Sequence, residues 1–489
     1  MTPAIPTITT SARIAPFDRL LLWLALLQGS SATLSVALHG DLPVSSATLA
    51  TLVSAVWAAM YAIAAVGLLA AFGMNWLSWL VRYRLPLTVL VTATALSPFW
   101  SIDSTLSLER GAHLVGTTLV ALYIGFRLPL SSILVETARA FALLLALSVL
   151  AALFHPPLGI EDYEGRSVWR GIMASKNTLG FWASVSTMLF LTRVVAAPTL
   201  AVRTGWLAMI VLALVCLAAS VSATSVLALV VALLVVGYLH AATSLRLGFL
   251  PMVVLGALVT TLVTLAFQSI DTVELVGRSG DLTGRTQVWE QTWRLIRERP
   301  LGGYGYGALW FPTEASLWIQ QRLTDLNWTV YHAHNGLLHV ASEIGIPLTV
   351  LMLAMIVQQL VESVWCQYHR PQPGILFVIG FCVALLVSNY TEARLLINRD
   401  LFWIFLIALP ISMVQQIELV ADNTIPTPVP FPGLGRVPPA VRHARRVRRR
   451  DLKRRLQARM PSGDAAPESV SATADEPHWQ GPERLHRNT

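Results

Sequence analysis

Charge is what this 489-residue chain has least of: Asp, Glu, Lys and Arg together make up 13% of it. A soluble domain ordinarily carries about 25%. With hydrophobic residues at 55%, a single soluble core of this length could not hide so much apolar surface without splitting into domains. Cysteine is scarce as well. Cys216, Cys366 and Cys382 all fall in or beside apolar segments, which leaves neither a disulfide framework nor a cysteine metal site. Lysine is nearly missing, with Lys176 and Lys453 its two occurrences, so arginine carries almost all of the positive charge. These shortages point to an all-α polytopic membrane protein.

What is present in abundance is apolar runs. A helix needs about 20 such residues to cross the hydrocarbon core. Windows of that kind lie at 18–38, 50–72, 85–101, 106–126, 132–154, 178–194, 202–219, 222–240, 247–268, 335–360, 374–391 and 401–417, predicting about 12 transmembrane helices. The third, fourth and sixth windows are the weakest. Arg13 and Arg19 precede the first run, but that run leads into more membrane and reads as an uncleaved span, not a signal peptide.

Sidedness follows from the arginines. Arg82, Arg84, Arg127, Arg193, Arg203, Arg246 and Arg370 fall in alternate short connections, which the positive-inside pattern places in the cytoplasm. The even number of spans puts both termini on that side. The opposite side receives Asp41, residues 100–110, residues 155–170 and one long loop, 268–334. That loop is far longer than ordinary connections. It is rich in Trp, Tyr and Gly and holds helical stretches at Thr286–Glu298 and Thr313–Leu323, so a folded extracytoplasmic loop is expected. Residues 1–417 form the transmembrane domain. Residues 418–489 form a basic, disordered cytoplasmic tail, in which Arg445, Arg446, Arg448, Arg449 and Arg450 cluster before a Ser-, Pro- and acid-rich end. The arginine run suits anionic membrane lipids. No base-reading motif accompanies it, so nucleic acid is not an expected partner.

The informative charges are the basic ones on the far side. Arg166, Arg170 and Lys176 precede span six; Arg278, Arg285, Arg294, Arg297 and Arg299 lie in the long loop; Arg394 and Arg399 precede span twelve. Cations near a membrane interior are costly unless paired, which marks candidate functional sites. Arginine forks grip phosphate oxygens in pairs. For any one arginine, internal salt bridges to Asp162, Glu164, Asp281, Glu290 or Glu392 explain the charge equally well. For the cluster as a whole, an anionic ligand explains it better.

Two further motifs lie nearby. Gly302-Gly303-Tyr304-Gly305-Tyr306-Gly307 lacks the preceding strand and the Gly-Lys-Ser/Thr ending of a nucleotide loop, so a turn opened by Pro300 and packed near the membrane is expected. His332-Ala333-His334-Asn335 enters span ten. Two histidines two apart do not share a helix face, which disfavours a helical metal site. Imidazole is, however, the side chain poised near neutral pH to take a proton from a hydroxyl. A helix-start histidine that is merely hydrogen-bonded is the plainer alternative.

Together these motifs resemble the O-antigen ligase and polymerase family. Asp281-Leu282-Thr283-Gly284-Arg285-Thr286, with Trp289 and the Pro300–Gly305 run, is similar to its long-loop signature. His334-Asn335 and the later Gly345 are similar to its second. Arg170-Gly171 with Ser175-Lys176-Asn177-Thr178-Leu179-Gly180, and Trp100-Ser101-Ile102-Asp103, resemble the exopolysaccharide polymerase branch. Leu348 stands where a small residue is common, a departure that weighs against the ligase subtype. The resemblance spans roughly residues 80–415. It implies a GT-C-like helical fold and metal-independent, cofactor-free glycosyl transfer on the periplasmic face of the bacterial inner membrane. The implied donor is a glycan on undecaprenyl diphosphate, and the acceptor is a second glycan. The family pattern puts Arg285 and an earlier arginine on the diphosphate, the latter best matched by Arg170 and next by Arg166, with Lys176 beside them. It makes His334 the base. His332, Asn335 and Arg278 are secondary candidates. Flippase and chain-length regulator proteins are the macromolecular partners such an enzyme would meet.

The chemistry is consistent with that pattern. Breaking the anomeric C–O bond leaves charge on a diphosphate, which fixed arginines stabilise. A base opposite the leaving group takes the acceptor proton, giving inversion. Trp289, Trp310, Trp318 and Trp328 are candidates to stack on sugars or to anchor at the interface. Three readings follow: a polymerase of lipid-linked repeat units, a ligase passing a finished glycan to lipid A-core or another acceptor, and a transporter or flippase of lipid-linked sugars. The last would call for mid-membrane charge pairs or broken helices and an internal repeat, none of which stands out.

Overall fold

The computed structural model describes residues 14–32, 36, 46–163, 165–245, 247–251, 253–258, 261, 285–322 and 330–424. All belong to one compact unit, Pro3–Leu434; a second unit, Met1–Thr2 with Gly435–Thr489, lies outside them. The expectations for Arg13, Asp41, Glu164, Arg246, Arg278, the 281–284 signature, Trp328 and the basic tail fall outside the described residues.

The elements in chain order are α1 (Pro16–Gly29), α2 (Ser46–Phe72), α3 (Asn75–Tyr83), α4 (Leu85–Ala95), α5 (Ser104–Arg127), α6 (Leu130–Phe154), a hairpin of β1 (Ile160–Tyr163) and β2 (Arg166–Trp169), α7 (Lys176–Val195), α8 (Leu200–Ala219), α9 (Ala223–Ser244), α10 (Arg285–Glu298), α11 (Leu317–Arg322), α12 (Gly336–His369), α13 (Pro373–Ser388) and α14 (Leu401–Thr424). Among the described residues, six helices are long and apolar enough to cross a membrane: Thr48–Phe72 within α2, together with α6, α7, α8, α9 and α12. Shorter apolar helices cover Leu85–Phe99, Phe249–Leu258, Pro373–Ser388 and Leu401–Gln415. Of the three weak windows, 178–194 becomes one of the six long spans, whereas 85–101 is a short helix. Window 106–126 becomes α5, which is long but more polar. The first window closes early, because α1 ends at Gly29.

The helix starts are written locally. Asp103 accepts from Leu106 N at 3.0 Å to open α5, Ser175 from Thr178 N at 3.3 Å to open α7, and Thr199 from Val202 N at 3.3 Å to open α8, each satisfying an otherwise orphaned amide. α12 is two helices joined across a kink at Gly345, where φ is 83° and Pro347 follows. Such a φ suits glycine alone, and a Cβ there would lie 2.2 Å from Leu301 O. Pro300 O accepts from Ile346 N at 2.8 Å, so the break is satisfied by protein, as membrane burial requires. This interrupted helix is one that the sequence did not announce.

The predicted folded loop holds where it is described. α10 starts one residue before the first expected helical stretch and ends with it, and α11 falls within the second. Val288, Leu295, Tyr304, Leu309, Trp310 and Ile319 make a small apolar core of their own. The Gly302–Gly307 run is the expected packed turn. Tyr304 N and Gly305 N donate to Ser342 O and Glu343 O at 3.0 and 2.9 Å. The Trp100–Asp103 motif docks this turn onto the bundle: Trp100 Nε1 donates to Gly302 O at 2.7 Å, and Ile102 N to Tyr304 O at 3.0 Å. The hairpin, by contrast, was not expected. Its antiparallel register sets Ile160 opposite Trp169 and Tyr163 opposite Arg166.

Candidate functional site

Four segments meet at the end of the bundle that bears the loop: the start of α7, α10, the His332–Asn335 turn, and the 389–400 connection. Asn335 fastens the turn. Its Oδ1 accepts from Leu337 N and Leu338 N at 3.1 and 3.0 Å, capping α12, while its Nδ2 donates to Tyr390 O at 3.2 Å. Gly336 N donates to Asn389 O at 2.8 Å. A Cβ on Gly336 would lie 2.0 Å from Asn389 Oδ1, so only glycine allows this approach.

Glu392 is the hub. It accepts from Asn177 Nδ2 at 2.7 Å and faces Arg285 at 3.5 Å and Arg394 at 3.8 Å. Arg394 also donates to Asn177 O at 3.0 Å and lies over Phe181 and Phe402. It is 7% exposed, and burial holds its guanidinium below the usual range. Glu392 serves both arginines and Asp400 acts on Arg394 as well, but burial pushes the Asp400 carboxyl up to about 7, so it offsets only part of the hub's positive surplus.

The two histidines stand beside this surplus. Their rings lie 4.0 Å apart, and His332 Nδ1 accepts from the His334 amide at 3.2 Å. Trp289 Nε1 donates to His334 O at 3.3 Å, and the Trp289 ring meets Tyr390 edge-on. His334 has a φ of 49°, uncommon for a residue with a Cβ. Burial first, then the charges of His332, Arg285 and His339, push its imidazole down to about 2. Burial also lowers His332, opposed by Glu392 and reinforced by Arg394 and Arg285. Both rings are thus neutral proton acceptors near pH 7. Among the described residues, no group of three or more His, Cys, Asp or Glu side chains could hold a metal ion.

The O-antigen ligase family model matches residues 208–353, a stretch that contains both Arg285 and His334. The exopolysaccharide production protein ExoQ of Rhizobium meliloti is 26% identical over 318 residues, covering 61% of this chain and 69% of ExoQ. Over residues 208–353 the chain is thus similar to the O-antigen ligase family, and over a longer stretch to an exopolysaccharide production protein.

The structure brings Arg285, His332, His334 and Asn335 to one place. Lys176 flanks them through Asn177. Its ammonium donates to Val221 O at 3.4 Å and lies 3.7 Å from the Tyr163 ring centroid. Arg170 and Arg166 are placed differently. The Arg170 guanidinium donates to Leu158 O and Pro157 O at 2.9 and 2.8 Å, bracing its own loop. Arg166 is exposed beside the hairpin turn. Internal pairing holds for Arg285 with Glu392 and for Arg294 with Glu290. What the sequence reading missed is the hub itself, in which Asn177, Glu392 and Arg394 act together. The Glu-x-Arg spacing at 392–394 was a signal, but nothing in the sequence joined it to residue 177.

Proposed function

We propose that this protein is a metal-independent, inverting membrane glycosyltransferase that polymerises undecaprenyl-diphosphate-linked repeat units of a surface or exopolysaccharide. The observation that carries this reading is the Arg285–Glu392–Arg394 hub standing beside the His332–His334 pair. In the proposed step the acceptor hydroxyl oxygen forms a bond to the donor's anomeric carbon. The C–O bond to the diphosphate breaks and its electron pair leaves with the diphosphate. His334 takes the hydroxyl proton. Arg285 and Arg394 balance the charge that builds on the leaving group, a stabilisation worth about 10²–10³ in rate for one fixed donor. Glu392 and Asn177 keep the forks aimed. The exchange needs no cofactor.

In this reading the hub faces the periplasm, both termini are cytoplasmic and about 12 helices of a GT-C-like bundle form the scaffold. Residues 1–417 carry the reaction, and the tail 418–489 faces the cytoplasm. Arg170, Arg166 and Arg278 remain candidates for outer contacts to the diphosphate.

A second reading, transfer of a finished glycan to lipid A-core or another acceptor, draws on the ligase description of the matching family. Purified protein in lipid vesicles, supplied with lipid-linked repeat units, separates the readings. Longer lipid-linked glycans support the polymerase. Product formed only after lipid A-core is added supports the ligase. Unchanged donor that merely crosses the bilayer refutes both.

A further inference from the structure

At the same end of the bundle, away from Glu392, a second arginine is held in a built setting. Arg399 Nη2 contacts His113 Nε2 at 2.6 Å, and Nη1 donates to Ser54 Oγ at 3.3 Å. The Tyr61 hydroxyl also faces the guanidinium. The Arg399 amide donates to Thr117 Oγ1 at 2.9 Å, fixing a backbone with a φ of 56°. Strain of this kind persists where the surroundings over-determine it.

Every side-chain partner is neutral or, in histidine's case, unable to compensate a cation. Among the described residues, no carboxylate lies within 4.0 Å of Arg399, and its Nε has no acceptor. Arg84, Arg127, Arg285 and Arg394 each have a carboxylate. Glu109 reaches His113 at 3.7 Å but is itself largely exposed, and Arg110 adds further positive charge around that ring. A partly buried guanidinium with neutral neighbours and spare donors is a receptor for a multi-oxygen anion.

We propose that Arg399, with His113, Tyr61 and Ser54, binds the phosphate group of a second lipid-linked diphosphate, that of the acceptor. This rests on the polymerase reading. There the acceptor keeps its lipid diphosphate while the donor loses its own, so the enzyme holds two such anions at once. The Glu392 hub takes one, and the 395–399 turn links it to the other.

The test uses full-length protein in phosphatidylcholine nanodiscs, with native mass spectrometry counting bound farnesyl diphosphate. Wild type should bind two, with Arg399→Gln and Arg285→Gln binding one each and Arg399→Lys intermediate. The one site left in Arg399→Gln reports that the variant is folded. A wild type that binds one, or an Arg399→Gln that still binds two, overturns the proposal. So does displacement of the second copy by phosphatidylglycerol, which would assign the site to bilayer lipid. Glycan transfer is the second arm. Arg399→Gln should lower kcat/KM for a lipid-diphosphate acceptor about tenfold or more, sparing a neutral glycoside of the same repeat unit. Equal losses on both acceptors mean a structural role. Two-site binding without any glycan transfer would leave the site standing and remove the polymerase reading. Glycan lengthening with unchanged acceptor preference would do the reverse.

Discussion

The two ends of the bundle hold their arginines by different partners. At one end carboxylates on the helices take them: Arg84 meets Glu362 at 2.6 Å, and Arg127 meets Asp18 at 3.2 Å. There Glu136 is shared by Arg19 and Arg139 at 3.1 and 3.0 Å, with Trp23 Nε1 donating at 3.1 Å. At the other end Glu392 likewise serves two arginines, but Arg170 is bonded to carbonyls and Arg399 to a hydroxyl and an imidazole. Backbone strain divides the same way. The non-glycine residues with positive φ among those described, Ser31, Val221, His334, Leu396 and Arg399, all lie at this second end. Paired charge on relaxed helices fastens one end. In the proposed reading, the cations on strained turns at the other end are the ones that meet an anion.

The largest effect that could break this contrast is on rate. His334→Ala or Arg285→Ala should cut glycan transfer by about 10²–10⁴-fold while membrane expression stays intact. Full activity in either variant removes that residue from the reaction.

Next comes stability at the paired end. Arg84→Ala leaves Glu362 buried without its partner, which should destabilise the protein by about 3–5 kcal/mol. Thermal unfolding in detergent would read this. The rate per folded molecule should not change, and a selective rate loss would merge the two ends into one machine.

The smallest effect is in protonation. An imidazole held near 2 binds no proton from pH 8 down to about 4, because its folded pKa lies below that whole window. Nitrogen NMR of histidine-labelled protein should keep the His334 signal, identified by its loss in His334→Gln, in the neutral form throughout. Titration near 6.5 would show that burial and the Arg285 charge do not control this ring.

Much of the scaffold was legible in the residues. Apolar length marked the spans of α2, α6, α8, α9 and α12, since the hydrocarbon thickness sets that length directly. The caps at Ser175, Thr199 and Asn335 are local hydrogen bonds, but the sequence reading did not single them out. Arg285 and His334 were legible as motif residues, and Glu392 as a partner. The kink at Gly345 was harder to foresee, because its missing helical bond is made up by Pro300 O, far away in sequence. Arg170 shows the opposite failure. It stands in the expected motif, yet its fork is turned onto Pro157 and Leu158, a choice set by the shape of its own loop.

The sequence by itself therefore determined that this is a membrane protein of helices, that a folded loop stands between spans, and which residue types have the chemistry for an anion and a proton. These follow from hydropathy and from side-chain chemistry, both local properties. Only the tertiary structure decided that Asn177, Arg285, His334 and Glu392 share one place, that Arg399 meets no carboxylate among the described residues, and that the Arg170 fork lies on carbonyls of its own loop. Those outcomes depend on how separate segments pack, as with Asn177 and Glu392, and for Arg170 on the shape its own loop takes, and no local property fixes either.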